Sequence, residues 1–239
     1  MTLIIDNGGH QIKAGLDTHT DPVVILNCTA KVQKSMQYLV SDQILQYSHN
    51  GSLLHFIRPL DRGYLNNWQC EIDVWNYLLK SNPDFLNLNI KETSLIMTEP
   101  ILNLHTLQCD TNEVVFEYFG FKEYLRRPAP WFSMYEFMHR PHSPGCNSNN
   151  DDDGQEVLML DSCTIIDSGF SFTHCVPFIN QACRKNAVSH YHHRSTSSSI
   201  IIIIIVIIII IITNIIIIID HHCHYDHSIL LSHIVTYSR

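Results

Sequence analysis

Positive charge is scarce in this sequence. Fifteen lysines and arginines stand against 23 aspartates and glutamates, for a formal net charge of −8 over 239 residues. No basic stripe runs along the chain, and Arg126-Arg127 and Arg184-Lys185 are the only adjacent basic pairs. Intrinsic, sequence-specific nucleic-acid binding is therefore not expected. The eight cysteines include no Cys-x-x-Cys pair and no tight framework, which suits free thiols in a reducing compartment. A secretory leader is also missing, because Met1 leads into a short apolar run that stops at Asp6. Composition reads as an intracellular α/β protein.

What is present begins with Leu3 to Gly15. The strand Leu3-Ile4-Ile5 ends on the carboxylate of Asp6, turns at Asn7-Gly8-Gly9, and a second strand brings back Lys13. Glycines at such a turn allow positive φ and let backbone N–H groups crowd around an anion. Lys13 supplies a cation, and Asp6 can hold a hydrated metal. Taken alone, Asn7-Gly8 is also an ordinary hairpin turn. A second copy of the plan changes the balance: Thr164-Ile165-Ile166, then Asp167, a turn at Ser168-Gly169, and a returning strand to Pro177. Two such hairpins suggest two clamps on one phosphate chain.

Between them, Val23 to Leu26 reads as extended, and residues 29 to 58 as short strands and loops. Pro59 to Tyr64 is a turn, and a helix follows from about Asn67 with Trp68, Ile72, Trp75 and Leu79 as its buried stripe. Ser94 to Thr98 is a buried strand ending at Glu99-Pro100. Asp110 and Glu113 fit a capping box with Asp110 as N-cap, opening a helix that closes near Gly120. Pro128 and Pro130 break or delay any helix in the aromatic stretch from Phe121 to Met138. Residues 140 to 156 form a low-complexity loop, whose Asp151-Asp152-Asp153 lacks the spaced ligands of a calcium loop.

Five motifs, in order, resemble the actin family. They are Asp6-Asn7-Gly8 with Lys13-Ala14-Gly15; Gly63-Tyr64-Leu65 with Asn67-Trp68 and Trp75; Met97-Thr98-Glu99-Pro100 with Asn103; Asn112-Glu113 with Phe116-Glu117; and Asp167-Ser168-Gly169 with Thr173-His174 and Val176-Pro177. The second and last of these most resemble a nuclear class of actin-related proteins, which are subunits of Swr-type chromatin remodellers that exchange a variant histone. The resemblance implies an α/β chain with the actin-like ATPase fold, of the ribonuclease H-like kind, over residues 1 to 183. Only the first lobe and the start of the second are represented. It also implies ATP or ADP with magnesium in an intact relative, held by Asp6, Asn7, Gly8, Gly9, Lys13, Asp167, Ser168 and Gly169, with Asp6 and Asp167 reaching the metal through water.

The chain departs from the family pattern where hydrolysis is performed. Gly9 and His10 replace a small hydroxyl residue and a glycine in the first loop, and Phe170 and Ser171 replace an acidic residue and a glycine in the second. The family's water-orienting glutamine falls near Ala129, which has no polar side chain. Positioning the attacking water is most of what a protein contributes to such a reaction, so negligible ATPase activity is expected. The implied role is a non-catalytic scaffold of a nuclear remodelling complex, with other subunits of that complex as partners and the nucleus as location. The alternative is a cytoskeletal ATP-binding protein or ATPase in the cytoplasm.

From residue 184 the resemblance ends. Arg184 to Ser199 is rich in His and Ser, Ile200 to Ile219 is nearly all isoleucine, and His221-His222-Cys223-His224-Tyr225-Asp226-His227 follows. Ile200 to Ile219 has the length of a membrane span, which would make the chain a tail-anchored membrane protein. The His/Cys cluster has zinc or copper ligand types. The favoured reading of 184 to 239 is a translated degenerate repeat with no native domain. The second hairpin is expected to show an unpaired edge, prone to add strands from other chains.

Overall fold

A computed structural model describes residues 1–33, 35–47, 53–139, 162–192 and 233–238. The Asp151–Asp153 run, the isoleucine stretch and the His/Cys cluster lie outside the described residues. The described residues group into two units, one from Met1–Ala129 with Gly169–Phe172, the other from Pro130–Ser168 with Thr173–Ser238. Among the described residues no helix is long and apolar enough to cross a membrane.

The first unit is built on a five-stranded sheet. β1 (Thr2–Asn7), β2 (Gln11–Leu16) and β3 (Val23–Leu26) form an antiparallel meander. β4 (Thr29–Val32), β5 (Tyr38–Val40) and β6 (Leu54–Ile57) make a separate small sheet, with the one-turn helix α1 (Gln43–Tyr47) beside β5. β7 (Leu60–Asp61) and β8 (Tyr64–Leu65) form a two-residue hairpin through Arg62 and Gly63. Both turn residues have positive φ, 49° and 78°, the requirement of the primed turns that match strand twist. α2 (Trp68–Ser81) follows, and then β9 (Ser94–Glu99), α3 (His105–Glu113) and β10 (Glu123–Pro128). The order in the main sheet is β10-β9-β1-β2-β3, with β1, β9 and β10 parallel.

Alternation in β1 decides the core. Leu3 and Ile5 are buried and Ile4 is exposed, as a period of two requires. Ile12, Ala14, Ile25, Leu95 and Met97 join the buried face, and Val74, Trp75, Leu78 and Leu79 of α2 cover it. The stripe expected on α2 is therefore rotated: Trp75 and Leu79 are buried, while Trp68 and Ile72 are only half-buried. Asn67 caps α2, its side chain accepting from the Cys70 N–H.

The capping box at Asp110 does not form. α3 has already begun at His105, where Gln108 N–H donates to the Leu104 carbonyl, and Asp110 sits exposed inside the helix. Glu99 holds this start, accepting from Asn103 Nδ2 at 3.1 Å and Gln108 Nε2 at 2.9 Å. The helix runs on as a wider π-turn over Val114–Phe119 and stops at Gly120, whose φ is 76°. The second proline-flanked segment resolves cleanly. Pro128 ends β10, and Pro130 is the second residue of α4 (Ala129–His139), where a missing N–H costs nothing.

In the second unit β11 (Ser162–Ser168) and β12 (Phe172–Ile179) pair in the register Asp167 to His174. β13 (Ala182–Cys183) and β14 (Ser189–His192) lie against β12. The expected open edge is absent, because β15 (His233–Ser238) pairs with β11 in parallel, from Cys163 opposite His233 to Ser168 opposite Ser238. The exposed apolar surface lies elsewhere. On the uncovered face of the first unit's main sheet, Ile4, Val24 and Leu125 are each more than 40% exposed.

Candidate functional site

The first hairpin forms as its sequence implies, with Asp6 opposite Lys13 and Asn7 opposite Ile12. Asp6 is fixed from the neighbouring strand: the Thr98 hydroxyl donates to Asp6 Oδ1 at 2.8 Å, and Thr98 Oγ1 accepts from the Asn7 N–H at 3.0 Å. β1 and β9 are parallel neighbours, so the turn opens at their shared C-terminal end, the usual ligand-binding end of such strands.

Neither Gly8 nor Gly9 adopts positive φ, contrary to the sequence expectation; the turn needs glycine for space. A Cβ on Gly8 would stand 2.6 Å from the Gln11 carbonyl oxygen. Gly8→Ala is accordingly expected to destabilise the protein by about 1–3 kcal/mol through backbone displacement, measurable as a lower urea midpoint. An unchanged midpoint would show that the turn yields freely.

Side chains that the sequence did not single out hold this turn. Asn27 Nδ2 donates to the Gly8 carbonyl at 3.0 Å, and the Asn27 N–H donates to the His10 carbonyl at 2.9 Å. Arg58 Nη1 reaches the Gly9 carbonyl at 3.4 Å. Beneath Asn7, Glu71 accepts from Asn7 Nδ2 and from Trp75 Nε1. Glu71 is completely buried, and burial pushes its carboxyl up to about 7 against the opposing hydrogen bonds of Asn7, Asn27 and Trp75. One signal for it was legible: a carboxylate on the helix face that also carries Val74, Trp75 and Leu78. A cavity of about 40 Å³ is lined by Asn7 and Trp75 together with Thr98, Glu99, Asn103 and Arg126, among others.

The residues that depart from the family pattern meet one another. His10 stacks on Phe170 with ring centres 5.2 Å apart and planes inclined by 18°, and the Arg58 guanidinium lies 4.8 Å from the centre of the same ring. Partial burial and the Arg58 charge hold the His10 imidazole below its ordinary value. Phe170 faces Gly9, 3.7 Å from where a Cβ would stand.

Asp167, Ser168 and Gly169 form the second candidate set. Asp167 is buried, and Ser168 Oγ shares a 3.1 Å hydrogen bond with Thr173 Oγ1. The Gly169 N–H donates to the Phe172 carbonyl at 2.8 Å. In the first turn the Gly8 N–H likewise donates inward, to the Asp6 carbonyl at 3.1 Å. As arranged, the Gly8 and Gly169 amides are not free for a phosphate. Both donate to the chain's own carbonyls, and the Phe170 ring lies beside Gly9. Ala129 is buried at the first position of α4 and presents no group to orient a water.

Comparison with known proteins points one way. The family pattern described as Actin matches residues 1–194. Actin-related protein 6 of Arabidopsis thaliana is 31% identical over 191 residues, covering 78% of this chain and 42% of that protein. Actin-related protein 6 of Drosophila melanogaster is 28% identical over 179 residues, covering 74% and 41%. The actin-like protein ARP6 of Cryptococcus neoformans is 35% identical over 181 residues, covering 73% and 33%. The chain thus spans about a third to two fifths of the length of these relatives.

Proposed function

This chain belongs to the actin family, and from that premise we propose that it works as a non-catalytic actin-related scaffold, a partial form of a subunit of a nuclear Swr-type remodelling assembly. The similarity to proteins named actin-related protein 6 supports the class. The single observation that carries the non-catalytic part is the His10–Phe170–Arg58 stack over Gly9. It places two aromatic rings and a committed guanidinium at a turn where an ATPase needs small residues and free amides. Binding energy in such a protein is spent on protein partners, through a surface that bound rings and closed turns do not disturb. ATP or ADP with magnesium belongs to this reading only as a weakly held ligand, and the membrane enters only through Ile200–Ile219.

Two measurements test it. Phosphate release by the purified chain with magnesium and ATP is expected to be indistinguishable from the buffer blank, and turnover at the rate of an ordinary actin would overturn the non-catalytic reading. The tagged chain, expressed in nuclei of a related organism, is expected to co-purify with the subunits of a histone-exchange remodeller. Recovery with cytoskeletal filaments and not with chromatin would favour the alternative.

A further inference from the structure

The turns that the sequence suggests as clamps on a phosphate chain meet through side chains, all of them within the first unit. The tip of the β11–β12 hairpin, Gly169–Phe172, groups with that unit. Phe170 at this tip is 53% exposed, so core burial does not place it. Specific contacts do. His10, on the first turn, stacks on the Phe170 ring at 5.2 Å between centres and 18° between planes, close to the stacked arrangement that aromatic pairs favour. The Arg58 guanidinium lies 4.8 Å from the centre of the same ring, within cation–π range. Arg58 Nη1 also donates to the Gly9 carbonyl at 3.4 Å. One ring of the second hairpin therefore meets consecutive residues of the first turn, His10 directly and Gly9 through Arg58.

A second ring seats the same tip. The Phe172 ring comes within 3.4 Å of where a Cβ on Gly63 would stand, on the turn of the β7–β8 hairpin. The first turn is in its own right held to the main sheet. The Asn27 N–H donates to the His10 carbonyl, and Asn27 Nδ2 donates to the Gly8 carbonyl. Each ring contact is modest at a wet surface, but together they join one short tip to one anchored turn.

We propose that Phe170, His10 and Arg58 form an aromatic clasp that joins the first turn to the tip of the second hairpin without any bridging ligand. Every group in the clasp comes from the chain itself. The clasp goes beyond the scaffold reading and does not rest on it, because it concerns what holds the turns together and not what the chain assembles with.

The test is amide hydrogen exchange on the full chain, read in both turns. The Gly169 N–H, which donates to the Phe172 carbonyl, reports on the tip, and the Asn27 N–H, which donates to the His10 carbonyl, reports on the first turn. Phe170→Ala is expected to speed exchange at both amides about fivefold. His10→Ala should do the same at Gly169, although it alters the other turn. The double variant should be no faster than either single one, as for residues that act as a pair. Phe170→Leu, apolar but without a ring, should give most of the Phe170→Ala effect. Magnesium ATP in excess should leave both amides of the wild type unchanged. A Phe170→Ala effect confined to Gly169, additive single effects, or a Phe170→Leu variant that behaves as wild type would each overturn the clasp. Slower exchange at Gly169 with magnesium ATP would also overturn it, by marking a phosphate chain as the bridge. Phe170 and His10 are both exposed, so these variants leave the core intact, and the wild-type comparison with ATP needs no variant.

Discussion

Trp75→Ala is expected to lower the unfolding free energy by about 4 kcal/mol, near the middle of the range for emptying a buried aromatic site. The indole is 0% exposed, packs 5.5 Å from the Phe119 ring centre, and lies between the sheet residues of β1 and β9 and the π-turn after α3. The substitution also removes the N–H that reaches Glu71 at 3.1 Å and Asn7 Oδ1 at 3.3 Å, leaving a buried carboxyl short of a donor. Against a total domain stability of about 5–15 kcal/mol, one such change removes between roughly a quarter and most of the margin. Trp68→Ala is the control: half-buried at the helix start, it should cost roughly half as much. Urea titrations of both variants check this, and similar midpoints for the two would show that the core is not centred on Trp75.

The second large effect is one of pH. Glu71 ionises near 4.5 when exposed and at about 7 in the fold. Between those values the folded chain keeps a proton that the unfolded chain has given up. Stability from this group is therefore fully present below about 4.5, declines as pH rises, and is gone above about 7; at about 1.4 kcal/mol per pKa unit the span is about 3 kcal/mol. His10 opposes it. Its imidazole is harder to charge in the fold, so its contribution falls as pH drops through its ordinary range. The informative quantity is then the difference between wild type and Glu71→Gln: Tm should converge near pH 5 and separate by several degrees near about pH 8, with the variant higher. Parallel curves at all pH values would rule out Glu71 as the source.

The second prediction rests on a residue that the sequence showed only faintly, and the reason is physical. The first hairpin, β3, β9 and α2 were legible because each rests on a local pattern: apolar runs that end at Asp6 and at Glu99-Pro100, an extended Val23 to Leu26, and a helical stripe that follows the turn at Pro59 to Tyr64. Family motifs placed the candidate residues on their hairpins, but they carried no information on what supports them. Asn27, Arg58 and Thr98 reach the first turn from positions 19, 49 and 92 residues away in the chain, and no window of sequence contains such pairs. The capping box failed for a related reason. Asp110 had the right neighbours, but Glu99 had already organised the helix start through Asn103 and Gln108. The bare sheet face follows the same logic. Ile4 and Leu125 sit in ordinary strand patterns, and only the arrangement of the whole unit reveals that no helix among the described residues covers them.

The position of β1 has a consequence for how the protein is made. Among the described strands β1 comes earliest in the sequence, and it occupies the middle of the sheet, with Leu3 opposite Leu16 on one side and Leu95 on the other. Its hairpin partner arrives almost at once. Its parallel partner arrives about 90 residues later, and long-range pairings of that kind close slowly. Throughout that interval the nascent chain carries one unpaired edge of Leu-Ile-Ile, a template for the same segment of a neighbouring chain. Translation speed and holding chaperones, more than the stability of the finished sheet, will govern how much of this protein reaches its native form.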